Sequence, residues 1–283
     1  MNKYSFDHLK DKVCVITGGG GVIGSAITDC LSAVGIKIAV LDISKEAADK
    51  AAKVLVDKFG TAAIGVEANV LDEDSLKKAK EEVNKTFGKI DILVNCAGGN
   101  SPKATTQLEF IEKENLSELE KTFYGLSVDG FRKVFDLNFL GTVLPTMVFT
   151  KDMIEKGEGS VLNVSSMNSY RPLTKIPAYS AAKASINNFT EWLAVHLAKL
   201  NIRVNAIAPG FFLTNQNRFL LIDEKTGGLT ARGNKVISAT PMGKFGEPED
   251  LHGAVLYLLS DLAKFVTGVV IPIDGGFNVY SGV

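Results

Sequence analysis

Short runs of consecutive aliphatic and β-branched residues alternate along the chain with longer stretches in which apolar residues recur every three or four positions. "KVCVIT" (12–17), "IKIAVLD" (36–42), "AAIGVEA" (62–68), "IDILVNCAG" (90–98), "GSVLNVSS" (159–166), "IRVNAIAPG" (202–210) and "GVVIPIDGG" (268–276) are such runs. Their near-continuous Val/Ile content is that of strands buried on both faces, as in a parallel sheet. Between them, "SKEAADKAAKVLVDKFG", "DEDSLKKAKEEVNKTFG" and "EPEDLHGAVLYLLS" keep the helical period, with acidic residues at their starts and, in the first two, a closing glycine. No linker, charge block or internal repeat interrupts the alternation, which predicts a single domain over residues 1–283. The expected architecture is α/β: a doubly wound parallel sheet of about seven strands, a Rossmann fold, whose ligand lies at the carboxyl ends of the strands. Residues 211–240, bounded by Gly210 and Pro241, contain no strong element and read as a lid after the sixth strand.

Composition narrows the class of partner. A chain of 283 residues with 46% apolar content can bury a large core, and a formal charge of −1 leaves no electrostatic footprint for nucleic acid or an anionic membrane. Small molecules are the expected partners. Cys14, Cys30 and Cys96 lack metal-ligand spacing, so buried thiols in a reducing compartment and no metal site are expected. The opening "MNKYSFDHLK" is too polar for a signal peptide, and no apolar run approaches the ~20 residues of a membrane span. A cytoplasmic protein follows.

Chemistry-bearing residues gather at the expected sheet edge. "TGGGGVIG" (17–24) follows the first strand and opens a helix, where glycines let the backbone approach a pyrophosphate and the helix start supplies amide donors. Asp42 ends the second strand, 18 residues beyond Gly24, where a carboxylate accepts from an adenosine ribose and repels a 2′-phosphate. Neither Ile43 nor Ser44 is an arginine that could hold that phosphate, so NAD is favoured over NADP. Further along, Tyr179 and Lys183 stand four positions apart at the start of an alanine-rich helix. An ordinary phenol, pKa ~10, exchanges protons poorly at neutral pH, and an ammonium one helical turn away can favour its ionised form.

With these residues in place, the whole chain resembles the short-chain dehydrogenase/reductase family. Thr17, Gly18 and Gly24 match the family's TGxxxGxG, although Val22, next to Gly21, stands where the middle glycine is usual. "NCAG" (95–98) is similar to NNAG, and "ANV" (68–70) to the Asp-Val that contacts adenine, with Asn69 in place of Asp. The resemblance implies a cofactor set of Gly18, Gly21, Val22, Ile23, Gly24, Asp42, Asn69, Val70, Asn95, Ala97, Gly98, Pro209, Gly210 and Thr214, with Asn95 also stabilising the sheet. It implies a catalytic set in which Tyr179 is the acid/base, Ser166, 13 residues earlier, polarises the substrate oxygen, Lys183 binds ribose and tunes Tyr179, and Asn138 holds a proton-relay water. Ser165 is expected to pack or cap the strand end.

Longer stretches, "GGNSPKATT" (98–106), "SMNSYRPLTKIPAYSAAK" (166–183), "GFFLTNQNRFLL" (210–221) and "DGGFNVYSGV" (274–283), look like the D-mannonate oxidoreductase (fructuronate reductase) subgroup. That resemblance implies NAD-dependent interconversion of D-mannonate and D-fructuronate by hydride transfer at C5, in a homotetramer. The expected substrate rim agrees in polarity. Asn100, Asn168, Arg171, Lys175, Asn217 and Arg218, with Lys103, Asn215 and Gln216 nearby, offer amides for hydroxyls and cations for a carboxylate. Two alternatives stay open: a related dehydrogenase of another sugar acid, such as gluconate at C5, and an NAD(H)-sensing protein without turnover. A sensor needs no proton relay, and the intact Ser166, Tyr179, Lys183 and Asn138 set argues against it.

Overall fold

The computed structural model describes residues 5–213 and 218–282. Strands β1 (Val13–Thr17), β2 (Lys37–Asp42), β3 (Ala63–Glu67), β4 (Ile92–Asn95), β5 (Gly159–Val164), β6 (Ile202–Pro209) and β7 (Val270–Ile273) form one parallel sheet in the order β3-β2-β1-β4-β5-β6-β7. The helices are α1 (Val22–Ala33), α2 (Lys45–Phe59), α3 (Glu73–Phe87), α4 (Val128–Phe135), α5 (Gly141–Lys156), α6 (Pro177–Leu197), α7 (Arg218–Leu221), α8 (Ala231–Ser238) and α9 (His252–Leu259). Strand order reverses between β1 and β4, and this opens a crevice at their carboxyl ends.

The continuous apolar runs are explained by helices on both faces. Cys14 and Ile16 of β1 pack with α1, α2 and α9, whereas Val13 and Val15 pack with α3, α5 and α6, so alternate side chains enter two separate cores. Each fully buried Ile or Leu contributes roughly 1.5–3 kcal/mol of transfer free energy. The helix boundaries follow the sequence signals. Ser44 caps α2 by accepting from the Ala47 amide at 3.2 Å, and Gly60 ends it with φ 66°. Asp72 caps α3, accepting from the Asp74 and Ser75 amides at 2.9 and 3.1 Å. Among the described residues no helix is long and apolar enough to cross a membrane.

The segment after β6, expected to contain no strong element, carries two short helices. It holds α7 and α8, joined by an Ile222–Leu229 bridge, and Thr230 caps α8 by accepting from the Gly233 amide at 3.0 Å. The two short helices pack so closely that a Cβ on Gly233 would stand 2.2 Å from the Leu221 carbonyl oxygen. Their brevity and this central glycine hid them from the periodicity.

Candidate active site

The turn after β1 is built for close backbone approach. Gly18 has φ 64°, and a Cβ there would lie 2.8 Å from the Ala97 Cα, while a Cβ on Gly24 would lie 2.5 Å from the Gly18 carbonyl oxygen. Thr17 ties this turn to the end of β4, its Oγ1 accepting from the Cys96 and Ala97 amides at 3.1 and 3.2 Å. Gly21 is the extended residue before α1, so Val22 is the first helical residue and its amide is among those without an intrahelical acceptor. The Val22 departure from the family pattern therefore leaves the helix start intact.

On the other side of the crevice, α6 presents Tyr179 and Lys183 on one face. Lys183 is 3% exposed, and its ammonium donates to the Val164 carbonyl at 2.8 Å and stands 5.7 Å from the Tyr179 ring centroid. Burial pulls the Lys183 pKa down to about 8. Burial also pushes the partly exposed Tyr179 phenol above its ordinary value, while the hydrogen bond with Ser166 draws it back down. Ser166 is thus one group that favours the phenolate, beside the Lys183 ammonium 5.7 Å from the ring. Ser166 also accepts from the Asn168 amide at 3.2 Å, and Ser165 donates to the Lys183 carbonyl at 3.2 Å, so the two serines divide contact with the reacting groups from support of α6.

Asn138 is fully buried in a π-helical turn, Asp136–Leu140, between α4 and α5. Its amide clamps Gly99, accepting from the Gly99 amide at 3.2 Å and donating to its carbonyl at 2.7 Å. A Cβ on Gly98 would meet Asn138 Oδ1 at 2.7 Å and Lys183 Nζ at 3.2 Å, so this backbone must be glycine for the cradle to close.

One cleft of about 520 Å³ joins these parts: Gly18, Gly21, Val22, Ile23, Gly24, Asp42, Ala97, Gly98, Ser166, Tyr179, Lys183, Pro209 and Gly210 all line it. Cys96, Gly99, Phe211 and Phe212 also line it. Sequence reasoning did not single these out for the site, although Cys96 and Gly99 flank the "AG" pair and the phenylalanines follow Gly210. Burial pushes the Cys96 thiol up to about 11, with Lys183 acting against it. A larger cavity, about 620 Å³, opens at the amino ends of β4, β5 and β6, but its wall contains neither the glycine turn nor Tyr179. Several of its charges are paired with one another or with the backbone, as in Lys12–Glu158 at 2.9 Å and Arg203 donating to the Leu258 carbonyl at 2.5 Å.

Several sequence-selected residues lie elsewhere. Asn95 is buried in the sheet, donating to Thr146 Oγ1 and Asn163 Oδ1 at 2.9 Å each, so its side chain braces β4 against β5 and α5 rather than facing the cleft. Asn69 accepts from the Leu71 amide at 3.0 Å and closes its own turn, and Val70 is buried against the Gly141 backbone; neither lines the cleft. Of the substrate candidates, buried Asn168 adjoins Ser166, and its Oδ1 has no partner among the described residues. Lys175 donates to the Gln107 carbonyl at 2.7 Å, Asn100 donates to Thr105 at 2.9 Å, and Arg171 and Arg218 are exposed. None of these five lies on the wall. Thr214 and Asn217 fall outside the described residues.

Comparison with known proteins follows the same lines. The family described as Enoyl-(Acyl carrier protein) reductase matches residues 20–278. The chain belongs to this short-chain dehydrogenase/reductase family. An uncharacterized oxidoreductase of Haemophilus influenzae is 49% identical over 284 residues, spanning 100% of this chain and 99% of that one. A solved structure of a proposed D-mannonate oxidoreductase from Haemophilus, with bound NAD, superposes with a TM-score of 0.92 at 50% identity, covering 97% of this chain and 98% of the other. A gluconate 5-dehydrogenase from Burkholderia cenocepacia, in complex with NADP and tartrate, gives a TM-score of 0.81 at 27% identity, with 97% and 98% covered. The chain is an oxidoreductase of this family with a Rossmann-type sheet.

Proposed function

We propose that residues 1–283 form one NAD-dependent domain that interconverts D-mannonate and D-fructuronate by hydride transfer at C5. The observation that carries this reading is the single cleft holding the glycine turn and Asp42 at one end and Ser166, Tyr179 and Lys183 at the other. The glycine cradle fits a dinucleotide, since a Cβ at Gly18 or Gly24 would collide with the neighbouring backbone. When bound, the nicotinamide supplies or accepts the hydride. Tyr179 exchanges the proton at its hydroxyl, Ser166 holds the substrate oxygen, Lys183 holds ribose, and Asn138 completes the relay while its amide fixes the Gly98–Gly99 turn. The subgroup resemblance and the Haemophilus neighbour support the substrate. The Burkholderia neighbour favours the second reading, a gluconate-type 5-dehydrogenase.

NADH oxidation with fructuronate and 5-ketogluconate separates the two, and faster turnover of 5-ketogluconate overturns the first. Asp42 lines the cleft, so NADPH is expected to be the poorer cofactor, and Asp42→Ala is expected to narrow the difference. Equal kcat/KM of the wild type with NADH and NADPH contradicts that role. Arg171 is the better candidate for the substrate carboxylate, because the Lys175 ammonium is already bound to a carbonyl and a guanidinium can bind in bidentate fashion. Arg171→Met is expected to raise KM for the sugar acid roughly 10- to 100-fold, the factor of a charged hydrogen bond, with NADH affinity unchanged. An equal loss with a neutral ketose would assign the residue to support of the loop. We place the enzyme in the cytoplasm, and we propose a homotetramer, for which the exposed apolar side chains Met147 of α5 and Trp192 and Val195 of α6, on helices of one layer, offer a surface.

A further inference from the structure

The cavity at the amino ends of β4, β5 and β6, about 620 Å³ and larger than the catalytic cleft, has walls that the proposed chemistry does not use, drawn largely from residues 8–12, 158–160, 198–203 and 259–267. Strand register sets its floor. Ile92, Ser160 and Arg203 are partners across β4, β5 and β6. Partners across parallel strands share a face, about 4.8 Å apart. Ile92 belongs to the core beneath α9, so Ser160 and Arg203 stand side by side under that helix and its link to β7.

Two polar groups on this floor lack what burial demands. Ser160 is 5% exposed, and its hydroxyl has no partner among the described residues. An unpaired buried hydroxyl lowers stability, a cost that alanine would avoid. Arg203 is half-buried and donates only to carbonyls, those of Leu258 at 2.5 Å, Ser260 at 3.3 Å and Val266 at 3.5 Å. Among the described residues no carboxylate forms an ion pair with it. The acidic groups on the wall are engaged elsewhere. Lys12 holds Glu158 at 2.9 Å and Asp91 at 3.8 Å, and the Asp261 side chain is 79% exposed, so water screens its charge. Burial draws the Arg203 guanidinium below its ordinary value, with Asp261 acting against it, the direction of a cation short of a counter-charge.

We propose that this cavity is a second ligand site, for a small organic anion whose carboxylate or phosphate binds at Ser160 and Arg203. A guanidinium carries five donors, so those that the three carbonyls leave over can take the anion. The rest of the wall suits an organic molecule better than an inorganic ion. Val266 and the fully exposed ring of Phe265 offer apolar surface beside the charge, and the volume lies in the range of sites for drug-sized ligands. Ser160 lies at the amino end of β5 and Ser166 just past its carboxyl end, so this ligand and the substrate do not compete. The site stands whether or not the sugar acid reading holds.

Isothermal titration calorimetry would be run on the full chain saturated with NADH, so that the glycine turn is occupied, with phenyl phosphate, 3-phenylpropionate and the neutral benzyl alcohol as probes. At least one anion is expected to bind, roughly 10-fold or more tighter than the alcohol, and the preferred one tells a phosphate ligand from a carboxylate. Ser160→Ala and Arg203→Lys are each expected to weaken that binding by about 10-fold, the factor of a hydrogen bond to a charged group, with NADH affinity unchanged. Ser160→Ala is also expected to melt no lower than wild type, because it loses only an unpaired hydroxyl. Failure of both anions to bind at millimolar concentration overturns the site, and so does binding that Ser160→Ala leaves intact. A lower melting temperature for Ser160→Ala would mean that the fold itself uses the hydroxyl, which overturns it as well. Should Arg203→Lys fail to fold, Ser160→Ala alone decides.

Discussion

Replacing Tyr179 by phenylalanine is expected to lower kcat by about 10²–10⁴-fold, the range of a general acid–base group, with NADH affinity held within about twofold. The ring continues to pack with Ala104, Val134 and Ala178, so the substitution removes a hydroxyl and leaves the wall in place. What disappears is the one group on the wall that meets both Ser166 and the cleft, and Ser166 alone has no means of exchanging a proton near neutrality. Losing the Ser166 bond costs roughly 1 kcal/mol of stability, too little to unfold a domain of this size. Steady-state rates beside a fluorescence titration with NADH give the two numbers. A variant that keeps a tenth or more of the wild-type kcat would transfer the proton chemistry to another group.

How much of this was legible before the fold was known depends on how local the signal is. The seven strands were readable because a strand covered on both faces must be apolar throughout, and the ends of α2 and α3 because Ser44, Asp72, Gly60 and Gly88 act within their own turns. The glycine turn, Asp42 and the Tyr179–Lys183 pair, which line one cleft, could be picked out for the same reason, since each is defined by neighbours in sequence. Asn95 did not. It shares a face of β4 with Leu93, and strand parity sends its side chain toward α5 instead of the cleft, which the motif alone does not disclose. The π-helical turn at Asn138 was also hidden, because its function as a clamp on Gly99 depends on a partner 39 positions away. The Glu109–Lys235 ion pair was least legible of all, since a glutamate and a lysine on two polar segments carry no mark of their pairing.

Lys183→Met is expected to abolish efficient turnover and, at the same time, to stabilise the free protein by about 1–2 kcal/mol at pH 7. The lysine is 3% exposed and its pKa is drawn from 10.5 down to about 8 by burial, so near neutrality the fold carries a charge that it disfavours. The sign follows from proton counts. Between about pH 8 and 10.5 the unfolded chain holds a proton at this lysine that the folded chain has released, so this group's contribution to stability rises with pH through that window. Below pH 8 the full cost applies, on the order of 3 kcal/mol at 1.36 kcal/mol per pKa unit. Methionine removes that cost but gives up the bond to the Val164 carbonyl, an offset of roughly 1–2 kcal/mol, which leaves the smaller net gain. The raised thiol pKa values of Cys14 and Cys30 act on both chains and largely cancel in the difference. Denaturant melts of wild type and variant at pH 7 and pH 10 therefore check the assignment directly. The variant's advantage should shrink toward zero or reverse at the higher pH, because the wild-type ammonium has by then lost its charge. A variant less stable at pH 7, or a gap that does not change with pH, would mean that Lys183 stabilises the fold and that its burial is not a strain kept for function.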